Sequence, residues 1–386
     1  MSTTENSNDV RPNRVLHLVD GVDAGGLGGA SGSLRDLLED RSHDLVVCVG
    51  GQHRTDMMPR LTPARQRFLS FGDGGLSRLL RHIESTDGRV DAVHAWGMRG
   101  TALLMQCPPG KIQVVSMDGF QADAPEARAA ATVMRAGRVE SLLGSYQTQR
   151  VISNMLGSGT CLSGRERIAS PAANPALLAK RSDELRCQWG ARSDSLVIGL
   201  VGSPMGHLNL KDQCGLPTRC SLLGRHVVML ASSKGSNRGD LIRWMEKASP
   251  QVDLVFDDII ERTREVASSL DAAIAPSSTG FRTRTCDVDP VMCVVAAGRP
   301  VVLGVGHPAG EYADREDLIR AGAEHDQHQS TRWLMAHLES SARQDVHERA
   351  RMRFEGYVNA VEQLYKRAAA ATGQSWSDSR SDMAAS

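Results

Sequence analysis

The 386-residue chain, 41.7 kDa, is longer than one hydrophobic core usually serves, and about 100 to 200 residues per domain makes two domains the expectation. Its 45 basic side chains balance its 45 acidic ones, which leaves no net field to favour nucleic acid or an anionic membrane. Eight cysteines without a C-x-x-C pair suit free thiols in a reducing compartment better than a disulfide framework.

Residues 1–13 are polar, lack an apolar signal segment and read as a disordered tail. No run of 18 apolar residues follows, so a cytoplasmic address without a membrane span is expected, with peripheral membrane contact left open. The first apolar run, residues 15–19, leads through Asp20 and Gly21 into Gly25-Gly26-Leu27-Gly28-Gly29, and residues 31–38 then read as a helix. Glycines between a strand and a helix N-terminus let backbone amides approach an anion, which makes Gly25 and Gly26 phosphate-binding candidates. The fingerprint Gly26-x-Gly28-x-x-Ser31 is incomplete, and no acid closes the second strand, residues 45–49, where a nicotinamide cofactor's ribose needs one. No nicotinamide cofactor is therefore expected.

A third strand, residues 92–95, places His94 near its carboxyl end, where α/β proteins bind ligands. A hydrogen-bonded core histidine is the competing reading. Residues 112–116 make a fourth strand, and the pattern then breaks in the Pro-rich, polar stretch 170–195. That break divides a first domain, 14–170, from a linker, 171–194, and a second domain, 195–342. In the second domain the runs 196–201, 227–230, 254–256, 272–275 and 301–303 alternate with helical patterns, which argues for parallel strands joined by crossovers. Ser203 and Lys211 follow the first of these runs. The strand ending at Pro276 opens a loop with Ser277, Thr279, Gly280 and Phe281, and a helix opened by Asp289 and Pro290 and closed by Gly298 comes next. Residues 343–370 read as a closing helix and 371–386 as a disordered tail.

The segment 271–302, DAAIAPSSTGFRTRTCDVDPVMCVVAAGRPVV, resembles the donor-binding motif of the GT-B glycosyltransferases, in particular the retaining group 1, family 4-like, enzymes. Pro276, Ser277, Gly280, Ala296, Gly298, Pro300, Val301 and Val302 carry the match, and the opening LHLVDGVDAGGLGGASGSL is similar to that family's first strand and glycine loop. The resemblance spans about residues 14–370. It implies an α/β chain of the GT-B class, two Rossmann-like domains with parallel sheets facing a central cleft and a last helix crossing back to the first. It further implies transfer of a sugar from a nucleotide-diphosphate donor to a glycan, lipid or protein acceptor, retaining and without metal or cofactor, and with no dedicated side-chain nucleophile. Gly25, Gly26, Ser203, Lys211, Ser277, Thr279, Gly280, Phe281 and Cys293 are then the donor contacts, with His94, Lys211 and Asp289 in catalytic roles.

Several charged positions of that family are neutral here. Its two glutamates, eight positions apart, fall on Thr285 and Cys293, with Asp287 and Asp289 the nearest acids; its diphosphate-holding arginine falls on Ser203, and Lys211 comes three residues later than its lysine. Each charge-assisted hydrogen bond lost this way is worth about 1.5 to 3 kcal/mol. A second expectation follows, a catalytically degenerate GT-B protein that binds a nucleotide or a partner. Two metal-like patterns, Asp287-Val288-Asp289 and His325-Asp326-Gln327-His328, lack the surroundings a metal site needs, so no metal is expected.

Overall fold

The computed structural model describes residues 13–20, 30–39, 41, 44–49, 65–69, 75–118, 120, 124–156, 165–201, 210–233, 238–259, 262–276, 288–315, 317–322, 327–339 and 345–376. The first unit contributes strands β1 (Val15–Asp20), β2 (Leu45–Val49), β3 (Arg65–Leu69), β4 (Ala92–Trp96), β5 (Ile112–Met117), β6 (Glu140–Leu143) and β7 (Glu166–Ile168). Helices α1 (Ala30–Leu38), α2 (Gly75–Thr86), α3 (Met98–Leu103), α4 (Ala127–Arg135) and α5 (Tyr146–Met155) lie between them. All neighbours pair parallel, in the order β3-β2-β1-β4-β5-β6-β7.

After α6 (Asp183–Gln188) a second parallel sheet follows, with strands β8 (Leu196–Leu200), β9 (Val227–Ser232), β10 (Val252–Asp257), β11 (Ala272–Ala275), β12 (Val301–Val305) and β13 (Ile319–Gly322). Its order is β10-β9-β8-β11-β12-β13. Its helices are α7 (Leu210–Leu222), α8 (Arg238–Ala248), α9 (Thr263–Val266), α10 (Asp289–Ala296) and α11 (Gln327–Glu339), and α12 (Val346–Ala371) is the last helix among the described residues. The architecture is α/β with two parallel sheets.

The strands form where the sequence is apolar on both faces, because helices cover both sides of a parallel sheet. β8, Leu-Val-Ile-Gly-Leu, is buried throughout, and a Cβ on Gly199 would collide with the side chains of Ile259 and Leu270 packed over it. Every run expected from the sequence forms a strand, and β3, β6, β7 and β13 are additional. Three of these four sit at sheet edges, where a polar strand such as Glu166-Arg167-Ile168 is tolerated.

Two elements join the units. α10 is buried along its whole length and stops at Gly298, whose φ of 74° is the left-handed turn that ends a helix. α12 returns from the second unit and lays Phe354, Tyr357, Val361, Leu364 and Tyr365 against Val15, Ala92, Trp96 and Ile112 of the first sheet. Among the described residues no helix is long and apolar enough to cross a membrane.

In each sheet the strand order reverses once, between β1 and β4 and between β8 and β11. Crevices outside the carboxyl ends of strands at such reversals are where open α/β sheets bind ligands. The segments leaving β1, β8 and β11 there are 21–29, 202–209 and 277–287, all outside the described residues. Gly25, Gly26, Ser203, Ser277, Thr279, Gly280, Phe281, Thr285 and Asp287 fall within them, and His325 and Asp326 also lie outside.

Candidate functional site

The fourth segment at a reversal is described. β4 turns into α3 at Gly97, with φ of 100°, and a Cβ there would strike the carboxylate of Asp20. Asp20 ends β1 and accepts the N–H groups of Gly100 at 2.7 Å and Arg99 at 3.0 Å. Burial pushes its carboxyl up to about 6, against the pull of those two amides. An acid pushed towards its neutral form therefore stands at the carboxyl edge of the first sheet.

His94 lies one layer deeper. Its Nδ1 is 2.7 Å from the Tyr365 hydroxyl, its Nε2 is 2.8 Å from Ser116 Oγ, and its ring stacks on Trp96 with centroids 4.3 Å apart. The ring is fully buried, and desolvation holds its pKa well below the usual histidine range. A neutral imidazole is thus fixed between β4, β5 and α12. Its register partner His17 is fixed in the same way, accepting from Trp96 Nε1 at 3.0 Å and facing Asp44 at 3.1 Å.

Asp289 opens α10 and meets groups from both units. Ser33 of α1 donates to its Oδ1 at 2.6 Å, and Arg264 of α9 reaches its Oδ2 at 3.1 Å. The same guanidinium holds Asp36 of α1 at 3.1 Å. Burial works against the Arg264 charge, but Asp289 and Asp36 outweigh it and hold the group well above the usual arginine range. Asp36 is itself raised by burial, against the pull of Arg264, and also accepts the Asn174 N–H at 2.7 Å.

The Tyr357 hydroxyl on α12 hydrogen-bonds Ser33 and Ser116, and so connects these two clusters. A continuous polar chain runs from His94 through Ser116, Tyr357 and Ser33 to Asp289, Arg264 and Asp36. His94 and Asp289, singled out separately in the sequence, are therefore linked across the two units. A cavity of about 10 Å³ lies along this chain, lined by Ser33, Trp96, Ser116, Asp118 and Tyr357 among others, with room for about one water.

Asp118, just beyond β5, is 5% exposed and accepts the N–H groups of Val288 at 2.8 Å and Asp289 at 3.0 Å. A carboxylate from the first unit thus caps the positive end of a helix in the second. Cys293, four residues into α10, is fully buried, and desolvation pushes its thiol up to about 12. Lys211 is the second residue of α7. Among the described residues no cluster of three His, Cys, Asp or Glu stands ready to hold a metal ion.

Asp118, Arg264, Ser33 and Tyr357 were not legible as site residues. Only Asp118 carried a signal, an acid at a strand's carboxyl end.

No protein-family model matches the sequence, and no curated protein matches it. Solved structures do. The chain is similar to Anabaena HepE in complex with UDP and glucose, at a TM-score of 0.62 and 15% identity over 91% of this chain and 99% of that one. It is similar to a glycosyltransferase from Rickettsia africae, at a TM-score of 0.63 and 12% identity over 92% and 98%. It is also similar to the UDP-GlcNAc 2-epimerase of Methanocaldococcus jannaschii, at a TM-score of 0.54 and 9% identity over 90% and 99%. With both sheets matched across nearly the whole chain, the fold is GT-B.

Proposed function

We propose that this protein is a glycosyltransferase that moves a sugar from a nucleotide-diphosphate donor to a glycan, lipid or protein acceptor, retaining and independent of metal. The observation that carries this reading is the GT-B fold over 91% of the chain, shared with a protein seen with UDP and glucose in place. In this reading the donor lies against the second unit, held by the segments 202–209 and 277–287 with Ser203, Ser277, Thr279, Gly280 and Phe281, while Gly25 and Gly26 face it from the first. Negative charge develops on the departing diphosphate, and a helix N-terminus with a nearby cation stabilises it. α10 supplies the helix, and Lys211, at the start of α7, supplies the cation. Asp289 holds the amino end of α10 in register with the first unit, and His94 supports the same arrangement from below through Ser116 and Tyr357.

Calorimetric titration with UDP and GDP, alone and as sugar conjugates, tests this reading. Micromolar binding that Lys211→Ala weakens at least tenfold supports a working donor site. Absence of heat with every nucleotide overturns it in favour of a second reading, a degenerate GT-B protein that binds a partner without turnover. The seat of Asp118 on the α10 amides favours that second reading, because it places negative charge where a diphosphate would go.

A further inference from the structure

Two carboxylates cross between the units in opposite directions. Asp118 of the first unit holds the two N–H groups at the start of α10 in the second. Glu311 of the second unit holds the N–H groups of Tyr146 at 2.8 Å and Gln147 at 2.9 Å, which start α5 in the first. The next amide of α5, on Thr148, is met within its own unit by Ser145 Oγ at 3.0 Å. Between the two crossings lies Gly144. Its carbonyl accepts the Tyr312 hydroxyl at 2.7 Å, and its missing side chain leaves the space that the Asp118 carboxylate fills.

We propose that Asp118 and Glu311 are reciprocal fasteners that hold the two units closed, and that Asp118 must leave α10 before an anionic ligand reaches those amides. The closure half stands on the contacts alone; the ligand half rests on the donor reading above. Each fastener joins a formal charge to the positive end of a helix, and each helix belongs to the opposite unit, so neither can form unless the units are together. They differ in setting. Glu311 sits on an exposed rim, where salt screens it, whereas Asp118 is enclosed and screened far less. Opening therefore begins at Glu311 and ends at Asp118, and the Ser33, Asp289 and Arg264 contacts part with it.

Small-angle scattering of the unliganded full chain, as wild type, Glu311→Ala, Asp118→Ala and the double variant, tests the closure half. A compact chain of this length has a radius of gyration of about 21 Å, and the expected result is a rise above wild type in each variant, largest in the double. Circular dichroism confirms that each variant is folded. If Asp118→Ala does not fold, Glu311→Ala on the exposed rim still carries the test. An unchanged radius in the folded variants overturns the proposal. Calorimetry with UDP then tests the ligand half: Asp118→Ala is expected to bind about tenfold tighter than wild type, because the competent form is no longer held back. A raised radius with no UDP heat in any form keeps the fasteners and removes the donor reading, whereas a raised radius with unchanged UDP affinity removes the ligand half.

Discussion

Cys293 occupies the position at which resemblance to the retaining GT-B enzymes places a ribose-holding glutamate, yet it is fully buried in a helix that is itself enclosed. Restoring the acid by Cys293→Glu is expected to destabilise the protein by about 3 kcal/mol or more, since the larger side chain overpacks the site and its charge competes with Asp289 and Asp36 for Arg264. Chemical denaturation checks this, with Cys293→Ser as the near-isosteric control. His307 gives a pH-dependent counterpart. Its Nδ1 accepts the Ala309 N–H at 3.1 Å, which assigns the proton to Nε2, and that atom has no hydrogen-bond partner among the described residues. Burial alone pushes its pKa down to about 3. Because the folded value lies below the unfolded one of about 6.5, its contribution is intact above pH 6.5 and is lost as the pH falls towards 3, at about 1.4 kcal/mol per pH unit. Between pH 7 and pH 5, wild type is therefore expected to lose about 2 kcal/mol more stability than His307→Gln. Equal losses in the two proteins would remove this account of His307. Neither environment was legible in the sequence, because burial of a single side chain depends on packing that periodicity does not report.

At the level of elements, nine of the thirteen described strands were legible because each is a short apolar run, whereas polar strands such as β3 and β7 were not, and the start of α10 was legible from Asp289 and Pro290. What joins the elements was not. Arg264 finds Asp36 at a separation of 228 residues, and Asp118 finds the amide of Val288 at a separation of 170, with no local pattern marking either pair. Arg264 is the pivot of this junction. Arg264→Met is expected to cost about 3 to 5 kcal/mol, because it strands two buried carboxylates, and adding Asp36→Asn should recover part of the loss. Urea denaturation of the two variants measures both effects. A loss below about 1 kcal/mol would mean that water already enters the junction and screens it.

For the whole molecule, the alternation of runs and the polar break near residues 170–195 made two sheets legible, and the donor-like segment pointed to GT-B. The catalytic question was less legible because the segments at three of the four strand-order reversals lie outside the described residues, while Ser33, Asp36, Asp118, Arg264 and Asp289 are engaged in contacts between the units. α12 has a further consequence. Arg41 of the first unit bonds Glu362 at 2.7 Å across 321 residues of chain, and Tyr365 completes the setting of His94. On a ribosome adding about 5 to 20 residues per second, that partner emerges about 15 to 65 seconds after Arg41. Throughout that interval the face of the first sheet that α12 covers stays open and Arg41, though already beside Asp44, lacks its Glu362 contact, so the half of the protein made first completes its packing only when the last helix has been made.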